Sequence, residues 1–523
     1  MTRRLAAALA LLVLLTPAIA AAHDEDLHAH IASPDLFAPD YDAVITALDL
    51  LTAPTVTGAG DAQPVADSFQ LVGHEPLFLR GMNAAPAIAD HFVYIGNRTD
   101  GSPQHVMPGV LVVDVANPAA PRVVGQIGLP NEGLPSETSR ELRTWPQQKL
   151  LMVMNFSCSA AIHACTSPSE ATGSVRPNYK FYDLTGANAV NPQLVSEYLP
   201  SRTPHEMFLW VDPQRPGRAL MFQTTPTTSL TAPNLIVTDI SRAREGVFPE
   251  IAKWNGNAQF SSPFRSSNDV RLHSIGVSAD GNRTYLAYLG GGVLILDTSD
   301  LAKALANPQI RVVSPIGSHP SWGNPGAHSA VKVPGRSLVL MTDEVYGDAL
   351  DPITGDNHGC PWGWVRMVDI ANETTPTVVG EYRSTYNTPS YCSTADGSDP
   401  TNTTFTSYSS HNPTLVGKLA FVTWHSDGLH AFEVEPATSP RATGHFVPQP
   451  LPAVATEDPA LSLGRNKVVF WSYPIIRNGL IYIVDVRNGL YILRYTGRGA
   501  KQVAKVKFLE GNSNLGNGAV DSG

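Results

Sequence analysis

Four short segments of this chain carry a histidine at what reads as one repeated position. They are Pro204-His205-Glu206-Met207, Leu272-His273-Ser274-Ile275, Ala327-His328-Ser329-Ala330 and Ser410-His411-Asn412-Pro413. Neutral imidazole nitrogens hold Fe(II), Cu(II), Zn or Ni, and an all-histidine set leaves positions open to water, oxygen or a substrate. If these four rings meet, they form a metal site, with iron or copper the expected ion of an oxidoreductase or oxygenase. Each ring then needs an acceptor on its other nitrogen, and Glu206, Glu141 and Glu344 are the candidates. The competing reading is structural. A histidine at a strand start, inherited by several copies of a repeat, lines a wet channel or hydrogen-bonds between copies without any metal.

Other groups carry weaker signals. His23, His28 and His30 open the mature chain in the acidic stretch HDEDLHAH, which reads as a solvated tail or a copper-chelating end. His425 and His430 fall where a packed histidine is the default, and His105, His319 and His358 fall in loops, where exposure is expected. Cys158 and Cys165 flank a short loop, and Cys360 and Cys392 sit in two loops of one repeat. Local pairing, 158 with 165 and 360 with 392, fits an oxidising compartment; a thiolate metal site is the alternative, although neither spacing is CxxC. There is no GxSxG elbow, P-loop or dinucleotide-binding GxGxxG unit, so hydrolase triads and nucleotide chemistry receive little support.

The elements that must position the histidines repeat along the chain. A short apolar strand ending in an acid recurs as VLVVD (110–114), KFYD (180–183), LIVTD (235–239), VLILD (293–297), VRMVD (365–369) and LHAFE (429–433), with GLYIL (489–493) as a seventh copy lacking the acid. A second strand type follows several of them (Arg122-Val-Val-Gly, Gln193-Leu-Val-Ser, Thr377-Val-Val-Gly), and further apolar runs lie between. Each unit reads as four short strands. Such a sheet cannot bury both faces alone, so copies must stack around an axis. The expected fold is all-β, a seven-bladed β-propeller of four-stranded blades over residues 69–510. The histidines then begin the innermost strands of blades three to six, and the same position holds Arg140-Glu141 in blade two, because SRELRTW parallels PHEMFLW. Blade one offers Asn83 and blade seven Ser472-Tyr473. Either Phe69–Gly73 or Gln502–Leu509 closes the ring, the N-terminal segment being preferred.

The strings VLVVDV, GVLILDTS and YIVDVRNGLYILRY resemble the LVIVD-repeat proteins, a bacterial propeller family. That resemblance implies an extracytoplasmic location and a surface or binding role, with no agreed reaction. Four axial histidines also make the architecture similar to that of carotenoid-cleaving oxygenases, and selenium-binding-type thiol oxidases likewise use propeller histidines, although no sequence motif of either family is present.

The remaining segments fit export. Arg3-Arg4, an apolar run to Leu15 and small residues through Ala22 form a secretory signal peptide over 1–22, with a twin-arginine route open as an alternative. Residues 23–68 form an extension with helical apolar spacing over 33–51, and 511–523 are expected to be disordered. Net charge is −10 with no basic run, which disfavours nucleic acid, and no later stretch is long enough to span a membrane. Insertions at 156–179, 224–233 and 345–364, the last bearing Trp362 and Trp364, widen the loops where a small molecule or protein partner would bind. Two functions follow: a binding or surface-interaction protein using the loop face, or a metal-dependent oxidoreductase or oxygenase using His205, His273, His328 and His411.

Overall fold

The acid that ends most repeat strands is a turn-former. Asp114, Asp239, Asp297 and Asp369 each accept a hydrogen bond from the backbone N–H two residues on, at 2.8–2.9 Å, and Asp183 does so with Thr185. A short carboxylate at this place turns the chain out of the strand. Glu433, one methylene longer, instead ion-pairs with Lys418, Arg441 and Arg498.

The computed structural model describes residues 64–127, 137–165, 176–227, 229–257, 271–315, 317–322, 326–347 and 359–516. The signal peptide, the expected helix over 33–51, His23, His28, His30 and His358, and residues 517–523 lie outside the described residues. The described chain is all-β and antiparallel. Three sheets are four-stranded meanders, starting with the strands Met207–Val211, Arg271–Val277 and Gly326–Lys332. An eight-stranded sheet consists of two such meanders, starting at Asn83–Ala89 and Glu137–Trp145 and joined through the single pair Asn97–Ser139. Another sheet runs from Ser410–Val416 to Arg441–Val447, with Val65–Asp67 added at its outer edge. The last combines Ile475–Arg477, Leu480–Asp485 and Gly489–Tyr495 with a strand from each end of the described chain: Phe69–Glu75 pairs with Gly489–Tyr495, and Phe508–Glu510 with Ile475–Arg477. Both candidate closing segments are therefore used, on opposite edges of one sheet.

Successive meanders bury each other's faces. Met221 packs toward the preceding sheet with Met152 and Met154, while its neighbours Leu220 and Phe222 pack toward the following one with Leu272 and Leu286. A strand covered on both sides carries apolar residues at every position, which is why these strands read as continuous hydrophobic runs. The series returns on itself: Ile88, Val93 and Ile95 of the first meander share a core with Ile475, Tyr482 and Leu490 of the last. The glycine of the second strand type has a matching cause, since a Cβ at Gly73, Gly125 or Gly380 would collide with the backbone oxygen of Pro118, Val190 or Ala437.

Both disulfides form with the local pairing, Cys158–Cys165 and Cys360–Cys392, and no free cysteine remains among the described residues. Trp362 is buried beside Tyr391 and Tyr408, and Trp364 is buried against Arg366 and Arg383. Residues 512–516 differ from the disorder expected after Gly511. Asn512, Ser513 and Leu515 are buried, and the Asn514 amide accepts from Val211 N and donates to Val211 O, each at 2.8 Å. An asparagine amide can copy the backbone's donor and acceptor, so a polar segment docks where composition alone suggests solvation. No helix among the described residues is long and apolar enough to cross a membrane.

Candidate functional site

The repeated position is a β-bulge. Pairing of Glu137–Trp145 with the next strand passes over Arg140, that of Arg271–Val277 passes over His273, and that of Gly326–Lys332 passes over His328. In Ser410–Val416 it passes over His411 and Asn412. A bulge adds one residue without a cross-strand partner and re-aims its side chain. His205 lies just before Met207–Val211, held by a bond from its N–H to Thr224 O at 2.9 Å.

These bulges bring the four predicted histidines into one file. Ring centroids are 4.4 Å apart from His205 to His273, 4.1 Å from His273 to His328 and 4.0 Å from His328 to His411. A fifth ring, His425, continues the file 4.6 Å beyond His411. Glu344 sits among them as a first neighbour and not behind them: its oxygens lie 3.0 Å from His411 Nε2, 3.3 Å from His425 Nε2, 3.5 Å from His328 Nε2 and 3.9 Å from His273 Nε2. At the other end, His205 Nε2 and His273 Nε2 are 2.8 Å apart. A carboxylate oxygen of Glu206 and ring nitrogens of these two lie within 4.8 Å of one another. Glu141 behaves differently from expectation. Its carboxylate pairs with Arg143 at 3.1 Å.

The opposite ring nitrogens settle the tautomers. His411 Nδ1 faces the Trp471 carbonyl at 2.5 Å and can only donate to it. Ser407 Oγ donates to Val345 O, so it accepts from His425 Nδ1 at 3.1 Å. Ser329 Oγ donates to Asn412 Oδ1, so it accepts from His328 Nδ1 at 2.7 Å. In the neutral form of each ring, Nε2 therefore keeps its lone pair. The three Nε2 atoms face the Glu344 carboxylate, and Glu344 Oε1, His328 Nε2 and His425 Nε2 are buried without a hydrogen-bond partner.

Burial pushes the imidazoles toward the neutral form, His273 and His411 to about 4 and His205 and His328 well below the usual value. For Glu344, burial works against the charge, yet His328 and His411 outweigh it and hold the carboxyl well below its ordinary range. Neutral rings around an anionic carboxylate are compatible only when positive charge sits between them, either a proton on one ring or a cation.

No family model matches the chain, and no curated protein does. Among solved structures, it is similar to a hypothetical selenium-binding protein from Sulfolobus tokodaii, at 14% identity and a TM-score of 0.38 over 57% of this chain. That match spans 64% of the other protein, less than two thirds of its length. It is also similar to the β-propeller domain of Cps50 (Swd1) from Myceliophteria thermophila, at 9% identity and a TM-score of 0.41, over 82% of this chain and 99% of that one. Both scores lie below what would fix a fold or a function.

Two further groups are close but structural. Asp427 accepts from His430 Nε2 at 2.9 Å and lies 3.1 Å from His445 Nε2, which occupies both its oxygens. Asp100 approaches Cys158 and Cys165, whose sulfurs are joined to each other. His105 and His319 sit in loops as expected but are buried rather than exposed. His105 faces Asp100 and the Ala164 carbonyl, and His319 the Gly291 carbonyl. The sequence makes His425 a packed histidine by default; the signal that could have found it is the run Trp424-His425-Ser426-Asp427, a polar break between two apolar strands.

Proposed function

We propose that the meanders are seven blades of one β-propeller, that the chain is exported, and that His205, His273, His328, His411, His425 and Glu344 form a metal centre on its axis, serving a metal-dependent oxidoreductase. The observation that carries this reading is the convergence of three Nε2 atoms, of His328, His411 and His425, on one buried carboxylate. A cation balances that charge and matches the donors. Two nitrogens bound at right angles to one ion with bonds of ~2.1 Å lie about 3.0 Å apart, close to the 2.8 Å between His205 and His273. A nitrogen-rich set with one carboxylate suits iron or copper, which supply one-electron chemistry and oxygen activation when bound. Ser329, Ser407 and the Trp471 carbonyl orient the rings from behind, the role first assigned to glutamates. Two disulfides are compatible with an extracytoplasmic address. The loop-face reading loses its exposed aromatics, since Trp362 and Trp364 are both buried.

Elemental analysis of protein purified from the periplasm tests the proposal, beside a variant carrying His273→Ala and His328→Ala. At least one equivalent of iron or copper per chain, lost in the variant, is the expected result. Absence of bound metal after reconstitution with Fe(II) and with Cu(II) would overturn it.

A further inference from the structure

His205, at one end of the histidine file, opens onto a cavity of about 680 Å³. Among the described residues its wall includes Phe156, Ile162 and three arginines, Arg140, Arg176 and Arg202, and no carboxylate. The volume suits a small organic ligand. Arg176 and Arg202 are exposed, whereas Arg140 is only 6% exposed. Among the described residues Arg140 makes no ion pair and no hydrogen bond, and its Nε is buried without a partner. The adjacent carboxylate of Glu141 is engaged by Arg143 at 3.1 Å.

Arg140 is held by aromatic faces instead. Its guanidinium carbon lies 4.8 Å from the Phe156 ring centroid and 5.0 Å from that of Trp471. Stacking fixes the guanidinium while leaving N–H donors for a ligand. Phe156 also lies 6.2 Å from the His205 ring, nearly parallel to it at 15°. The buried cation and the nearest imidazole of the file thus share one wall. Arg140 is also the bulge residue of its strand, the place that His273 and His328 fill in theirs.

We infer that this cavity is the substrate pocket of the centre proposed above, and that its substrate is a small organic oxyanion on an apolar body, with the charged end on Arg140 and the body along Phe156 and Ile162. That the oxyanion is a substrate rests on the metal-centre reading; that the pocket binds an oxyanion does not. Arg176 and Arg202 supply positive potential along the same wall, which draws an anion in. Carboxylate and phosphonate share the required chemistry, a charged oxygen pair facing a guanidinium edge.

Isothermal titration of the full chain, metal-stripped and metal-loaded, with benzoate, phenylphosphonate and neutral benzamide tests this. At least one anion is expected to bind about tenfold or more tightly than benzamide in both forms, the scale of one charge-assisted hydrogen bond. The tighter of the two identifies the oxyanion. Arg140→Gln should abolish the preference while metal content and near-ultraviolet circular dichroism hold. Arg202→Gln, at an exposed position, should weaken it a few-fold. No preference for anions in the native chain, or a preference unchanged in Arg140→Gln, overturns the inference. If Arg140→Gln does not fold, an unchanged preference in both Arg140→Lys and Arg202→Gln overturns it equally. Anion binding by a chain that takes up no metal leaves the oxyanion pocket standing and removes the metal centre alone.

Discussion

Replacing Glu344 by glutamine separates a metal centre from a buried ion pair. The substitution keeps the shape of the side chain and removes its charge. An ion held by the surrounding Nε2 atoms would lie within about 4 Å of the carboxylate, where two unit charges at an effective dielectric of 20 interact by about 4 kcal/mol. A divalent ion doubles that, while the amide oxygen that remains and the relief of a buried charge in the metal-free chain return roughly half. About 4 kcal/mol net corresponds to two to three orders of magnitude in Kd. Competition against a chromophoric chelator measures this directly, and a Kd within threefold of the native value refutes the reasoning. The metal-free protein gives a second readout. If Glu344 faces neutral rings, with positive charge supplied only by a bound cation, Glu344→Gln is neutral or stabilising in urea unfolding. If it is the counter-ion of an imidazolium, breaking that pair costs roughly 3–5 kcal/mol, and a loss of that size would sink the cation argument whatever the metal titration gave.

Two more outcomes follow from the fold. Phe69, 5% exposed, seats the N-terminal strand against Phe421, Phe446 and Tyr495; Phe69→Ala should cost about 3 kcal/mol in urea unfolding, and a loss below about 1 kcal/mol would mean that this strand does not hold the last sheet. His105 has acceptors at both ring nitrogens, Asp100 at 2.8 Å and the Ala164 carbonyl at 3.2 Å; burial opposes its charge, but these partners outweigh burial and raise its pKa. Its contribution is therefore complete below about pH 6.5 and fades as pH rises through the raised value, so His105→Gln should lower Tm more at pH 6 than at pH 9, and equal losses at both would contradict the assignment.

The histidine file was half legible. Aligning strand starts finds His205, His273, His328 and His411, because repeat copies keep register. It cannot show that His273 and His328 are bulge residues, since one extra residue leaves the apolar pattern on either side intact. That hidden kink is what turns the rings toward one another. Glu344 was chosen as a carboxylate behind the rings and lies in front of them, because the position of a side chain at a strand end depends on the neighbouring sheet. Ser329, Ser407 and the Trp471 carbonyl take the rear positions, and serines and backbone carbonyls are too common to single out from sequence. Arg140 was placed correctly, yet its significance depends on Glu141 being held by Arg143, a choice between neighbours that no spacing records.

The two edges of the last sheet set an order in time. Phe69–Glu75 is made early in synthesis, and its partner, Gly489–Tyr495, more than 400 residues later. Each of the intervening meanders can pair its own strands as soon as they emerge, through contacts local in sequence. The earliest described strands must wait, unpartnered, for nearly the whole chain. Closure is the contact with the largest separation in sequence and so the slowest search. A nascent or translocating chain would therefore present one open edge, Phe69–Glu75, for longer than any other, and a factor that shields extended strands would act there first.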